Sequence, residues 1–187
     1  VTELPVDGAV DHPWVVIPGI WGSDAEHWQS RWERDRGPDA VRIAPGSWSE
    51  PDPEDWAHAI SRAVAAAPRR PVLVAHSLGV LAAAHWLVDH AEQVAGAFLV
   101  APPDPETPAF PPAAAGFRAP NRAVQVPTAL VVSDDDPYCG VDRALGFAAT
   151  LGAEVLRVGP RQHVNVASGV GDWPEGRRLL EAFSARC

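Results

Sequence analysis

Apolar residues in this chain come in short unbroken runs, separated by longer segments in which they recur every three or four positions. Trp14-Val15-Val16-Ile17 is the first run and stops at Pro18-Gly19, and Val41-Arg42-Ile43 is a weaker second. Val72-Leu73-Val74-Ala75, Ala97-Phe98-Leu99-Val100, Ala129-Leu130-Val131-Val132 and Val155-Leu156-Arg157-Val158 follow. Runs of this length without alternation predict parallel strands covered on both faces.

The intervening segments carry helix signals. Ser23 and Glu26 predict a capping box that opens a helix with Trp28 and Trp32 one turn apart. Asp52-Pro53-Glu54-Asp55 supplies a cap, a first-turn proline and two acids, and Trp56, Ile60, Ala63, Val64 and Ala67 then make one apolar face. Leu78–Ala91, Asp142–Leu151 and Pro174–Ala185 complete the helices. Strand alternating with helix predicts a doubly wound, three-layer α/β fold with a mostly parallel sheet of about six strands. Pro102–Pro127, rich in Pro and Ala, has no period and reads as a surface loop or a small lid, one that rims the site. No repeat or linker divides the chain, so 1–187 reads as one domain.

Composition narrows the function. A chain of 187 residues buries enough core to fold without disulfides or a metal. The formal net charge of −9, with no basic stripe, argues against a nucleic-acid partner. Two cysteines, Cys139 and the terminal Cys187, are no disulfide framework and point to a reducing, cytoplasmic setting. The stretch Val1–His12 carries Glu3, Asp7 and Asp11 and lacks the basic start of a secretory signal. No apolar run reaches membrane-spanning length, so no membrane role is expected.

The sharpest chemical signal is Val72-Leu73-Val74-Ala75-His76-Ser77-Leu78-Gly79: a buried strand, a small-x-Ser-x-Gly turn, then a helix. This is the pattern of a nucleophile elbow with Ala75 in place of the first glycine. The tight turn requires small residues two positions either side of Ser77 and lifts its hydroxyl to the carboxyl edge of the sheet. The helix N-terminus beneath favours developing negative charge, and the Leu78 amide can serve an oxyanion hole. A serine nucleophile needs a base, and the base needs an orienting acid. Of the three histidines after Ser77, His85 and His90 lie on the following helix and cannot turn back over it. That leaves His163, in the loop after the last strand. Among Asp134-Asp135-Asp136-Pro137, Asp136 is favoured as the acid because the proline stiffens the turn that aims it. Asp104 is the reserve, and a solvated acidic or cation-binding turn is the competing reading of the triplet. Pro18-Gly19-Ile20-Trp21-Gly22 can supply the second oxyanion amide, from Ile20 or Trp21, and Trp21 and Trp28 could line an acyl pocket. His76 reads as a packed support and Cys139 as a half-buried loop thiol.

With these residues in place the chain resembles the small serine hydrolases that include retinoblastoma-binding protein nine and the bacterial YdeN-type proteins. The likeness is carried by Pro18-Gly19-Ile20-Trp21-Gly22-Ser23 with His27-Trp28, by His76-Ser77-Leu78-Gly79, and by Ser133 to Tyr138. It is carried most distinctively by His163-Val164-Asn165, Ser168-Gly169 and Trp173-Pro174-Glu175-Gly176. The resemblance implies an α/β-hydrolase fold with little or no lid, a triad of Ser77, Asp136 and His163, and modest activity on short-chain esters. Pro18-Gly19 stands where the family often has His-Gly, and Gln162 where it often has Gly. The expectation is a carboxylesterase working through an acyl-enzyme on a small-molecule ester, with no metal or organic cofactor. A protein-binding module on a hydrolase scaffold, and a thioesterase or amidase with the same triad, are the alternatives. The oligomeric state stays open.

Overall fold

The computed structural model describes residues 11–187; the Val1–Val10 stretch weighed against a secretory leader lies outside the described residues. Six strands form one sheet: β1 (Trp14–Ile17), β2 (Ala40–Arg42), β3 (Val72–His76), β4 (Gly96–Val100), β5 (Thr128–Val132) and β6 (Glu154–Arg157). Their order is β2-β1-β3-β4-β5-β6, and all five pairings are parallel. Among the described residues four helices lie between strands, α1 (Trp28–Arg36), α2 (Pro53–Ala66), α3 (Leu78–His90) and α4 (Val141–Leu151), and α5 (Pro174–Ser184) follows the last strand.

Alternation along the strands sends side chains to two separate cores. Val15, Ile17, Leu73, Ala75, Leu99 and Leu130 pack with α2, α3 and α4 on one face. Trp14, Val72, Val74, Phe98, Val100 and Val131 pack with α1 and α5 on the other. The four inner strands are therefore apolar at nearly every position, as the unbroken runs predict. The sixth departs from that expectation. Glu154 and Val155 on β6 are exposed although they point to opposite faces, because β6 is an edge strand with a neighbouring strand on one side only and the layers thin out there.

Helix starts follow local chemistry in one case and tertiary competition in another. Asp52 caps α2 as predicted, its carboxylate accepting the Asp55 amide at 2.8 Å, with Pro53 in the first turn. The capping box at Ser23 and Glu26 does not form. Asp24 captures the amides of Glu26 and His27 in an Asx turn, and the Ser23 hydroxyl turns to Gln29 Oε1. The helix begins later, at Trp28, with His27 as its cap.

Strand order reverses beside β1: the chain leaves it for β2 on one side and returns to β3 on the other. A crevice opens at the carboxyl ends of strands flanking such a switch point. Here the loop after β1 holds Gly19–Gly22 and the turn after β3 holds Ser77. Their closeness depends on Gly79, where an added Cβ would lie 2.3 Å from the Ile17 carbonyl oxygen and 2.5 Å from that of Pro18. Gly79→Ala is expected to lower stability by about 3 kcal/mol through this backbone clash. Gly146→Ala, exposed in α4 with open space around it, is expected to raise stability by about 1 kcal/mol. Urea unfolding midpoints check both.

Candidate active site

Ser77 follows β3 with φ 55° and ψ −127°, a conformation that β-branched and bulky residues avoid. The turn holds because the Ser77 amide donates to the Val100 carbonyl at 3.0 Å and the α3 N-terminus continues directly from it. Its hydroxyl lies 2.8 Å from His163 Nε2. His163 Nδ1 in turn lies 2.9 and 3.0 Å from the two carboxylate oxygens of Asp136. A nitrogen facing a carboxylate carries the ring proton, which leaves Nε2 free to accept the serine proton. The His163 and Asp136 side chains are only 9% and 3% exposed, so the pair is shielded from water.

The three adjacent aspartates go three ways, which removes the cation-turn reading. Asp134 pairs with Arg157 at 2.6 Å. Asp135 accepts the Ser133 hydroxyl at 3.1 Å and the Gln162 amide at 2.7 Å. Asp136 accepts the Tyr138 amide at 2.9 Å and faces His163. Asp104, the reserve acid, pairs with Arg143 at 3.2 Å. His85 hydrogen-bonds the Arg118 carbonyl and His90 packs on Trp86, so neither approaches Ser77.

The loop carrying His163 is strained and fastened at several points. Gln162 and Val164, on either side, have φ of 45° and 50°. His76, at the end of β3, donates from Nε2 to the His163 carbonyl at 2.9 Å, since a carbonyl can only accept. Trp28 Nε1 donates to the Val164 carbonyl at 2.8 Å, and Asp135 holds the Gln162 amide. Trp32 Nε1 reaches the Asp172 carbonyl at 2.9 Å, and its ring stacks on Trp173 with centroids 5.7 Å apart. The assignment of Trp28 to an acyl pocket is therefore corrected. It is fully buried beneath the site, where its indole carries the histidine loop.

The Ser77 hydroxyl opens into a cleft of about 240 Å³. Ile20, Trp21, Leu78, Pro103, Phe110, Pro111 and Tyr138 supply its apolar wall, and His27, Asn165 and Asp24 its polar one. Trp21 stands on the rim, 67% exposed. The segment 102–127 contributes Pro103, Phe110 and Pro111 and is pinned to the core by Ala114, Phe117 and Val124; its only regular structure is the 3₁₀ turn Pro112–Ala114. It forms a wall and carries no helical lid. Of the two amides weighed for the second oxyanion donor, that of Trp21 is already given to the Trp48 carbonyl at 2.8 Å. The Ile20 amide has no acceptor among the described residues. A Cβ on Gly19 would sit 2.8 Å from that of Ser77, so this backbone lies directly against the Ser77 side chain.

Sequence reading assigned no role to His27, Tyr138 or Phe110. Tyr138 packs its ring 4.5 Å from that of His163; its place just past the Asp triplet was the available signal. Cys139 is buried and held as a neutral thiol. Burial, with the Asp104 and Asp136 carboxylates nearby, pushes its thiol up to about 12.

The chain belongs to the serine hydrolase family, which it matches over residues 14–182. A YdeN-like hydrolase from Pectobacterium atrosepticum is 35% identical and superposes with a TM-score of 0.80, over 92% of this chain and 90% of that one. The ydeN gene product of B. subtilis is 19% identical with a TM-score of 0.72, over 92% and 98%. Thermogutta terrifontis esterase 2 is 18% identical with a TM-score of 0.62, over 96% and 85%, and shares the α/β-hydrolase fold. No curated protein sequence matches the chain. The motif resemblance and the expected fold are both borne out; the sheet is wholly parallel.

The buried imidazoles of His27 and His76 give stability a defined pH dependence. Burial lowers His27 to about 4. Burial, helped by the nearby His27 and His163, holds His76 well below the ordinary value. Both are depressed on folding, so the unfolded chain binds more protons between about pH 6.5 and 4. Stability is full above about pH 6.5 and falls as pH drops through that window, by about 3 kcal/mol from His27 alone. Urea unfolding at pH 7 and pH 4.5 should give this loss, and His76→Phe should flatten the slope.

Proposed function

We propose that the protein is a carboxylesterase acting on small, short-chain acyl esters in the cytoplasm. Ser77 attacks the acyl carbonyl while His163 takes its proton at Nε2. Asp136 fixes the tautomer and stabilises the imidazolium. The amides of Leu78 and Ile20 receive the oxyanion. The first belongs to the opening residue of α3, where no helical acceptor exists. His163 then protonates the departing alcohol, and water attacks the acyl-enzyme with His163 again as base. No step calls for a metal or organic cofactor.

The observation that carries the reading is the unbroken line from Ser77 Oγ through His163 to Asp136, opening on a small, mainly apolar cleft. The cleft lies below the roughly 300–1,000 Å³ of sites for drug-sized ligands, which suits short acyl groups. Both cysteines are unpaired thiols, in keeping with a reducing compartment.

Hydrolysis of p-nitrophenyl acetate, butyrate and decanoate tests it. The wild type should turn over acetate and butyrate and lose most of its kcat/KM on decanoate. Ser77→Ala should lose at least about 10³-fold in kcat, and Asp136→Asn about as much. Equal rates for wild type and Ser77→Ala, with no labelling by a fluorophosphonate probe, would leave a binding module on a hydrolase scaffold.

A further inference from the structure

His27 is an unusual choice for the cap of α1. An N-cap needs only an acceptor, which Ser, Thr, Asp or Asn supplies from a short side chain. His27 meets that need with Nδ1, which accepts the Gln29 amide at 3.2 Å. The acceptor role at Nδ1 places the ring proton of the neutral form on Nε2. At neutral pH the ring is neutral, because burial keeps its proton affinity low. The residue is only 6% exposed, yet it forms part of the cleft wall. Its two flanking rings, His76 at 4.9 Å and Trp28 at 5.2 Å between centroids, pack tilted against it, and neither forms a hydrogen bond with it. Among the described residues, Nε2 has no protein partner. The fold therefore holds a donor of fixed tautomer on the wall of the cleft, and nothing in the described protein receives its hydrogen.

The charges around the cleft restrict what could receive it. Among the described residues no arginine lines the cleft, and the one acidic side chain there is Asp24. A substrate carboxylate or phosphate would meet no cation there and would be repelled. An uncharged oxygen fits. We propose that His27 is a specificity-determining residue, donating from Nε2 to an ether, hydroxyl or carbonyl oxygen of an uncharged ester, an oxygen additional to the ester group itself. This rests on reading the cleft as an ester site. It makes the preferred substrates oxygen-bearing short esters rather than plain alkyl ones.

Two pairs of nearly isosteric esters test the assignment. p-Nitrophenyl methoxyacetate and butyrate differ by an oxygen for a methylene in the acyl chain. 2-Methoxyethyl and n-butyl acetate differ in the same way in the alcohol. For each pair the ratio of kcat/KM values is compared between wild type and variant, so that intrinsic reactivity cancels. His27→Phe keeps the ring and removes the donor. The oxygen-over-methylene ratio of one pair should fall about tenfold, the usual weight of one hydrogen bond. His27→Gln, which returns an N–H near the Nε2 position, should recover most of it. A binding measurement stands apart from turnover and from the folding of either variant. In Ser77→Ala protein with ¹⁵N-labelled histidine, methyl methoxyacetate or 2-methoxyethyl acetate should move the His27 Nε2 resonance, and the matching alkyl esters should not. Ratios unchanged within twofold in both pairs, together with a His27 resonance indifferent to the oxygen, would overturn the proposal. If the wild type hydrolyses none of these esters faster than Ser77→Ala, the esterase reading fails, and the resonance comparison alone decides whether His27 binds the oxygen.

Discussion

The site depends on a hydrogen bond between two parts of the chain that are far apart in sequence. His76, the last residue of the strand that delivers Ser77, donates to the backbone carbonyl of His163. The elbow and the histidine loop are thereby built on a common support. Ser77 cannot shift without the residue before it pulling on the loop that carries His163. Because His76 is buried and neutral, this bond does not compete with water, and in a low-dielectric interior it is worth more than the same bond at the surface.

Strain concentrates where this coupling is needed. Ser77, Gln162 and Val164 all hold positive φ without being glycine, each at a cost of about 1–3 kcal/mol. At Gln162 a glycine, which adopts positive φ without a Cβ penalty, would relieve part of that cost. Packing beneath the loop offsets it. Trp28, Trp32 and Trp173 form a nested aromatic group under residues 164–173, and two indole N–H groups bind carbonyls of that stretch. Three of the eight tryptophans thus support the site from below, while Trp48, Trp56 and Trp86 pack with the opposite core. Trp21 stands on the rim of the cleft.

The polar wall has a different origin from the reacting groups. His27 and Asp24 reach the cleft because the Asx turn at Asp24 delays α1 by several residues and leaves His27 as the cap. Had the capping box formed, the helix would have started earlier and His27 would have lain within its first turn. The composition of the cleft wall is therefore tied to a local contest for amide hydrogens.

Much of this was legible from the chain. Unbroken apolar runs gave the strands, since a strand covered on both faces must be apolar at every position. The elbow was readable because a tight turn between strand and helix admits few residue types. His163 followed by elimination, since helical geometry keeps His85 and His90 away from Ser77. The cap of α2 was readable because Asp52 and Pro53 act on their immediate neighbours. What the sequence could not determine were the outcomes of contests between distant groups. Trp28 could have lined a pocket or packed in the core, and only the position of the Val164 carbonyl decided it. Ile20 and Trp21 offered equivalent amides until the Trp48 carbonyl took one of them. His27 carried no distinguishing local pattern beyond its neighbour Trp28. Local preferences are written in adjacent residues, whereas the partner that a buried donor finds depends on how the layers pack, and only the tertiary structure sets that.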